Sequence, residues 1–222
     1  MSIESERFYS HLEHIYNIFG DASSNESSSF HSIDAFVVVR GKFSEENKDS
    51  VQTKTSIFHD YIFNYDFTDT IIFFSPKGIY FLVASKKKSL IESAKRPKGI
   101  SNVPEIKIIL RTPNDDNTSK IKEIFEKVKE DINKSEINIG YLQEEKGIGK
   151  AVEEFYSVAD NLEGMKLVDT PLLIDEIIQI KDKEENPIVG LKIIIYSEFY
   201  ISFVNCAVFG IQIKTSEVNI FI

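Results

Sequence analysis

Residues 61–88 read YIFNYDFTDTIIFFSPKGIYFLVASKKK: two apolar runs, a four-residue turn between them, and three lysines at the end. Positions 71–74 carry no polar side chain, and 79–84 carry only the Tyr80 hydroxyl. A strand with one wet face alternates polar and apolar residues, so uninterrupted runs predict strands covered on both faces, as in the middle of an α/β sheet. Ser75-Pro76-Lys77-Gly78 joins them with Pro second and Gly fourth, the pattern of a type I turn. The second strand then runs into Ser85-Lys86-Lys87-Lys88 with no loop between.

Ser85 reads as an N-cap and 86–94 as a short helix. Three lysines in a first helical turn oppose the macrodipole, each giving up roughly 0.3–1 kcal/mol relative to an acidic or neutral residue. Lys88 stands where a Glu would complete a capping box. Two readings follow. Free amides and ammonium groups at a helix start attract a carboxylate, a phosphate or a carbonyl-rich peptide surface. The plainer alternative is a solvated lysine cluster that keeps the helix soluble.

The same segment resembles the large subunit of FACT, a histone chaperone, in its N-terminal aminopeptidase-like domain. The likeness is carried by Phe63-x-Tyr65, by Thr68-Asp69-Thr70, and by Ala84-Ser85-Lys86-Lys87-Lys88 after the hairpin. A looser match lies in IGYLQEEKGIGKAVEEFYSVADNLEGMKLVDTPLLIDEIIQIKDKEE, residues 139–185, which has a strand, a Gly-Lys, an amphipathic helix and a short strand in the family's order. The likeness covers about 5–185. It implies an α/β fold, a mixed β-sheet flanked by helices like the N-terminal lobe of creatinase and prolidase. Two domains are expected: 1–185 as that lobe and 186–222 as a divergent apolar tail.

The resemblance further implies a non-enzymatic histone- and nucleosome-interaction module of the FACT complex, acting in transcription, replication and repair in the nucleus, on the chromosome. Partners would be core histones and nucleosomes, the other FACT subunit, and replication and transcription factors. Ser85 and Lys86 lead the expected histone-binding residues, followed by Lys87 and Lys88. No catalytic residue, metal or cofactor is expected. The alternative is a regulatory N-lobe of a creatinase- or prolidase-like metallopeptidase, whose metal ligands sit on a second lobe.

Composition agrees with a globular chain. Of 222 residues, 42% are hydrophobic and 12% aromatic, enough for a self-sufficient core. The net charge of −9 repels phosphates on average, so direct sequence-specific nucleic-acid binding is not expected, whereas basic partners such as histones fit that sign. Cys206 is the only cysteine, which excludes an internal disulfide and fits a reducing compartment. It reads as a core thiol. The first residues, MSIESERFYSHLEH, have no apolar signal-peptide core, so the sequons at Asn25, Asn117 and Asn133 are expected to stay unmodified. The apolar stretch 193–213 is broken by Ser197, Glu198, Ser202, Asn205 and Gln212, which argues for buried structure over a membrane span.

Elsewhere the chain alternates helical and strand patterns. Phe8, Leu12, Ile15 and Phe19 line one helix that Gly20 can end, and 33–40 reads as a strand. Residues 41–52 read as an exposed loop and 56–63 as a helix. Strands at 106–110, 137–141 and 166–168 alternate with helices on the Ile121/Phe125/Val128/Ile132 and Val152/Phe155/Ala159/Leu162 spacings. Gly164 is placed to cap the second of these, and Pro171 opens a last helix through 180.

Three further features carry weaker signals. Lys146-Gly147-Ile148-Gly149-Lys150 lacks a phosphate loop's spacing and reads as a turn and helix start. His11 and His14 sit three apart on one helix, a half-site that chance produces often. The acidic pairs Asp115-Asp116, Glu144-Glu145 and Glu153-Glu154 could meet basic histone segments.

Overall fold

The central hairpin organises the sheet. In the computed structural model, which describes residues 2–21, 28–42, 53–112, 114–145 and 147–179, β2 (Thr70–Ser75) and β3 (Gly78–Val83) pair antiparallel, with every residue of both strands buried. Side chains fix the turn. The Ser75 hydroxyl oxygen accepts from the Gly78 amide at 3.0 Å and donates to Asp131 at 2.5 Å, while the Tyr80 hydroxyl donates to the same carboxylate oxygen at 2.7 Å. A Cβ at position 78 would stand 3.0 Å from the Tyr80 ring, so any side chain there would push against that ring.

Around the hairpin, β1 (Ala35–Arg40) pairs antiparallel with β2, and β4 (Glu105–Leu110) pairs parallel with β3. Beyond β1, the strands β5 (Ile137–Tyr141) and β6 (Met165–Asp169) add in parallel, giving a six-stranded mixed sheet in the order β4-β3-β2-β1-β5-β6. Only β2 runs against the other five. The C-terminal ends of those five therefore share one rim of the sheet with the start of β2.

Alternation along the strands splits the core into two layers. Phe36, Ile72, Phe74, Ile79 and Phe81 pack against α1 (Ser5–Asp21), α2 (Lys54–Phe63), α3 (Ser85–Ser93) and α6 (Leu173–Ile178). Val37, Ile71, Phe73, Tyr80 and Leu82 face α4 (Thr118–Ile132) and α5 (Lys150–Ala159). The mixed sheet flanked by helices is the architecture that the sequence implied.

Some boundaries differ from the sequence reading. Gly41 is buried beneath Val152, so the loop expected at 41–52 does not begin exposed; residues 43–52 lie outside the described residues, as do Asn25, Cys206 and the 186–222 tail. Helix α1 continues past Gly20 to Asp21. Helix α5 ends at Ala159, with Asp160 and Asn161 bonding back to the Tyr156 and Val158 carbonyls, so Leu162 falls beyond it. Gly164 is not its cap: it takes φ +73 in the turn before β6, where a Cβ would stand 2.6 Å from the Ser135 carbonyl. Helix α6 starts at Leu173 because Pro171 and Leu172 form a turn in which the Leu173 amide bonds the Thr170 carbonyl.

His59 of α2 is fully buried and accepts from the Phe67 amide at 3.2 Å through Nδ1, which pins the chain entering β2. Burial lowers its pKa to about 3, so the folded ring stays neutral over a range in which the unfolded ring, near 6.5, takes up a proton. The sign follows: stability is lost as pH falls from 6.5 toward 3, by at most about 1.4 kcal/mol per pH unit. Urea unfolding at pH 7 and pH 4.5 should show wild type losing about 2–3 kcal/mol more than His59→Asn between the two.

Candidate partner-binding surface

Helix α3 begins at the rim, one residue after β3 ends. The Arg111 amide bonds the Val83 carbonyl at 2.8 Å and extends the β3–β4 pairing, which holds Ala84 in an extended conformation. The first helical bond runs from the Lys88 amide to the Ala84 carbonyl. Ala84 is therefore the N-cap and has no side chain to offer, and Ser85 is the first helical residue. This corrects the expected cap at Ser85 and the expected helix over 86–94: strand pairing, not the serine, decides where the helix starts.

The four residues singled out in the sequence then separate. Ser85 and Lys86 are exposed, and neither hydroxyl nor ammonium has a partner among the described residues. Lys87 is half-buried and turns back over the rim. Its ammonium donates to the Thr68 carbonyl, approaches the Thr70 hydroxyl at 3.4 Å, and lies 5.7 Å from the centre of the Phe67 ring. Burial pulls its pKa below the usual lysine range, against the upward effect of the Asp69 and Asp66 carboxylates. Lys88 pairs with Glu92 at 3.7 Å across one turn, a surface contact worth about 0–1 kcal/mol.

Lys87 is thus a strut that ties the start of α3 to the entry of β2. Thr68-Asp69-Thr70 supplies the other half of the joint. Asp69 takes a left-handed φ of +52 and reaches Lys42 at 3.2 Å. Beside it, Gly147-Ile148-Gly149 crosses Gly41-Lys42, with Lys42 and Ile148 exchanging backbone bonds at 2.8 and 2.7 Å. A Cβ on Gly41 would stand 2.6 Å from Val152 Cγ2 and 2.9 Å from the Ile148 carbonyl. The glycines of this stretch permit two backbones to touch, and Gly149 is the N-cap of α5.

Sequence reading missed the apolar side of this rim. Tyr65, Leu110, Ile148 and Leu172 are the exposed large hydrophobic residues of the described chain, between 42% and 59% exposed. Leu110 ends β4, Ile148 bridges the residue two past β1, Leu172 follows β6 by three, and Tyr65 precedes β2 by five. All four mark the rim that also carries Ser85 and Lys86. No periodicity signals this, because each lies in a loop or at a strand end.

The acidic pairs have other work. Asp116 accepts from the Thr118 amide and hydroxyl, both at 2.9 Å. Glu145 accepts from the Lys54 and Thr55 amides at 2.5 and 2.6 Å and so caps α2. Glu154 is buried and receives the Asn117 amide at 3.2 Å, with Arg111 at 3.8 Å and Lys150 at 3.7 Å. One member of each pair is held by backbone amides, while Asp115, Glu144 and Glu153 are exposed.

The His11 ring is stacked on Tyr61 and contacts the Tyr61 carbonyl at 2.5 Å; His14 Nε2 lies 3.2 Å from the Ile177 carbonyl. Among the described residues no three His, Cys, Asp or Glu side chains are grouped to hold a metal, and no helix is long and apolar enough to cross a membrane.

The chain is similar to known proteins in sequence and fold. Residues 3–172 match the family model described as the FACT complex subunit SPT16 N-terminal lobe domain. The chain belongs to this family. A FACT complex subunit SPT16 from Mycosarcoma maydis is 23% identical over 188 residues, 83% of this chain but 17% of the relative. The N-terminal domain of FACT complex subunit SPT16 from Cicer arietinum superimposes with a TM-score of 0.70 at 24% identity, covering 83% of this chain and 40% of that one. An Xaa-Pro aminopeptidase from Streptococcus pyogenes matches with a TM-score of 0.46 at 12% identity, over 78% of this chain and 99% of that one. The chain thus spans about a sixth of the curated SPT16 relative.

Two substitutions separate strut from open surface in this SPT16 N-lobe. Lys87→Met leaves the Thr68 carbonyl without its donor and should cost about 1–3 kcal/mol in urea unfolding, whereas Lys86→Met should stay within about 0.5 kcal/mol. Gly41→Ala forces the Gly147–Gly149 crossing apart and should cost roughly 1–3 kcal/mol by the same measurement.

Proposed function

We propose that this lobe is a non-enzymatic histone- and nucleosome-interaction module of a FACT complex, and that Ser85 and Lys86 are its first contacts. The observation that carries this reading is the rim itself. An uncapped helix start, an open hydroxyl and an open ammonium stand on the edge that also holds the exposed Tyr65, Leu110, Ile148 and Leu172. Protein interfaces combine apolar anchors with a few oriented polar groups, and free helical amides favour carboxylate or carbonyl oxygens. Lys87 acts by holding α3 in place, and Lys88 lies at the border of the contact.

Membership of the SPT16 N-lobe family supports the FACT assignment. In that setting the partners are core histones and nucleosomes, the other FACT subunit, and factors of transcription, replication and repair, in the nucleus on the chromosome. In this reading the interacting lobe is 1–185 and 186–222 is a divergent apolar tail. Its role is to bind and orient; no hydrolytic step is assigned to it.

Pull-down of core histones by the full chain tests the site. Ser85→Ala/Lys86→Ala should weaken retention about tenfold, equivalent to about 1.4 kcal/mol, with an unchanged circular dichroism spectrum. Equal retention would remove both residues from the contact.

A further inference from the structure

Leaving the rim, α3 presents a second and different surface. Ile91 and Ala94 are buried and Lys87 turns inward, so the helix's opposite side, Ser85, Ser89, Glu92 and Ser93, faces solvent, and all four are exposed. The loop that follows adds Lys95, Arg96 and Lys98, also exposed. Nine helical residues carry this loop about 13 Å from the helix start.

We propose that Lys95, Arg96 and Lys98, with Ser89 and Ser93 beside them, form a contact surface for the phosphate backbone of duplex nucleic acid, without regard to base sequence. Residues 85–99 hold six cations and the single acid Glu92, on a chain whose net charge is −9. Glu92 is engaged by Lys88. The nearest elements bring Glu4 and Glu6 at the start of α1, where Ser5 accepts from the Lys95 amide at 3.0 Å, and Glu105, which pairs with Lys107 at 3.9 Å. The Lys95 and Lys98 ammonium groups have no partner among the described residues.

The loop is held in shape. Arg96 donates to the Pro104 carbonyl at 2.8 Å and lies 5.5 Å from the centre of the Tyr9 ring, so its guanidinium is ordered at the surface. Ser89 and Ser93 donate their hydroxyl protons to the Ser85 and Leu90 carbonyls at 3.2 and 2.6 Å, so they add no donor for a phosphate but leave a low helix face that a backbone can approach closely.

Composition selects phosphate over an acidic protein. Protein partners need apolar or aromatic anchors at the centre of the contact, and among the described residues the exposed large ones all lie on the rim. Phosphate backbones can be met by Lys and Arg without apolar anchors, and such contacts carry no sequence information. The average negative charge of the chain confines binding to this patch and makes it strongly salt-dependent.

Fluorescence anisotropy of a labelled duplex of arbitrary sequence, titrated with the full chain, tests the proposal. Three phosphate contacts predict about 40-fold weakening between 50 and 200 mM salt. Lys95→Glu/Lys98→Glu should weaken binding at 50 mM salt by roughly tenfold or more and flatten the salt slope by about 1.8, while a charge-matched α4 variant, Lys122→Glu/Lys127→Glu, keeps both. Retention of histones should not change, because Ser85 and Lys86 are intact. Absence of wild-type binding at 50 mM salt, equal binding by the two variants, or tighter binding of a polyglutamate peptide than of the duplex would each overturn the assignment.

Discussion

Burial of the β2–β3 hairpin on both faces is the constraint from which the other layers follow. A strand whose every side chain leaves water needs cover above and below, so helices must lie on each side of the sheet. Phe74 and Phe81 meet α1, α2 and α3, while Phe73 and Tyr80 meet α4 and α5. Because β2 alone runs backward, the start of β2 and the end of β3 come out side by side at one rim. There the Thr68 carbonyl can meet the Lys87 ammonium, 19 residues away in the chain. At the opposite edge the turn is clamped by Asp131 from α4, which joins the hairpin to the second layer.

Three lysines at a helix start violate a local electrostatic preference, and the structure gives each a different resolution. Lys87 withdraws from solvent and satisfies a backbone carbonyl, trading part of its hydration for a tie between two elements. Lys88 takes the nearest acid, one helical turn along. Lys86 stays open, next to amides that no side chain caps. An adverse dipole interaction of a few tenths of a kcal/mol per residue is small beside the loss of a half-buried carbonyl's charged donor, so the strut outweighs the dipole. The surface that remains is smaller than the sequence cluster but better defined, and it is flanked by apolar side chains.

Elements with their own periodicity were legible from the chain. The hairpin and its turn, α1, α4, β5 and the one-faced spacing of α5 as far as Ala159 fall where the hydrophobic pattern puts them. The α3 start did not, because the extended state of Ala84 is set by pairing with β4, more than 20 residues downstream. Gly164 was misread for a similar reason: its left-handed backbone serves a turn against the Ser135 carbonyl, which no local pattern reveals. Asp116, Glu145 and Glu154 looked available in the sequence, yet each is held by amides of α4 or α2.

The sequence by itself determined the layered α/β architecture, the doubly covered hairpin and the local reversal of charge around 86–98, since each depends on which residues are apolar or charged and at what spacing. Only the tertiary structure decided which charges remain open. That choice depends on carbonyls and carboxylates brought in from distant strands and helices, and on the direction of one reversed strand, which together bring the apolar and polar groups to one rim of the sheet.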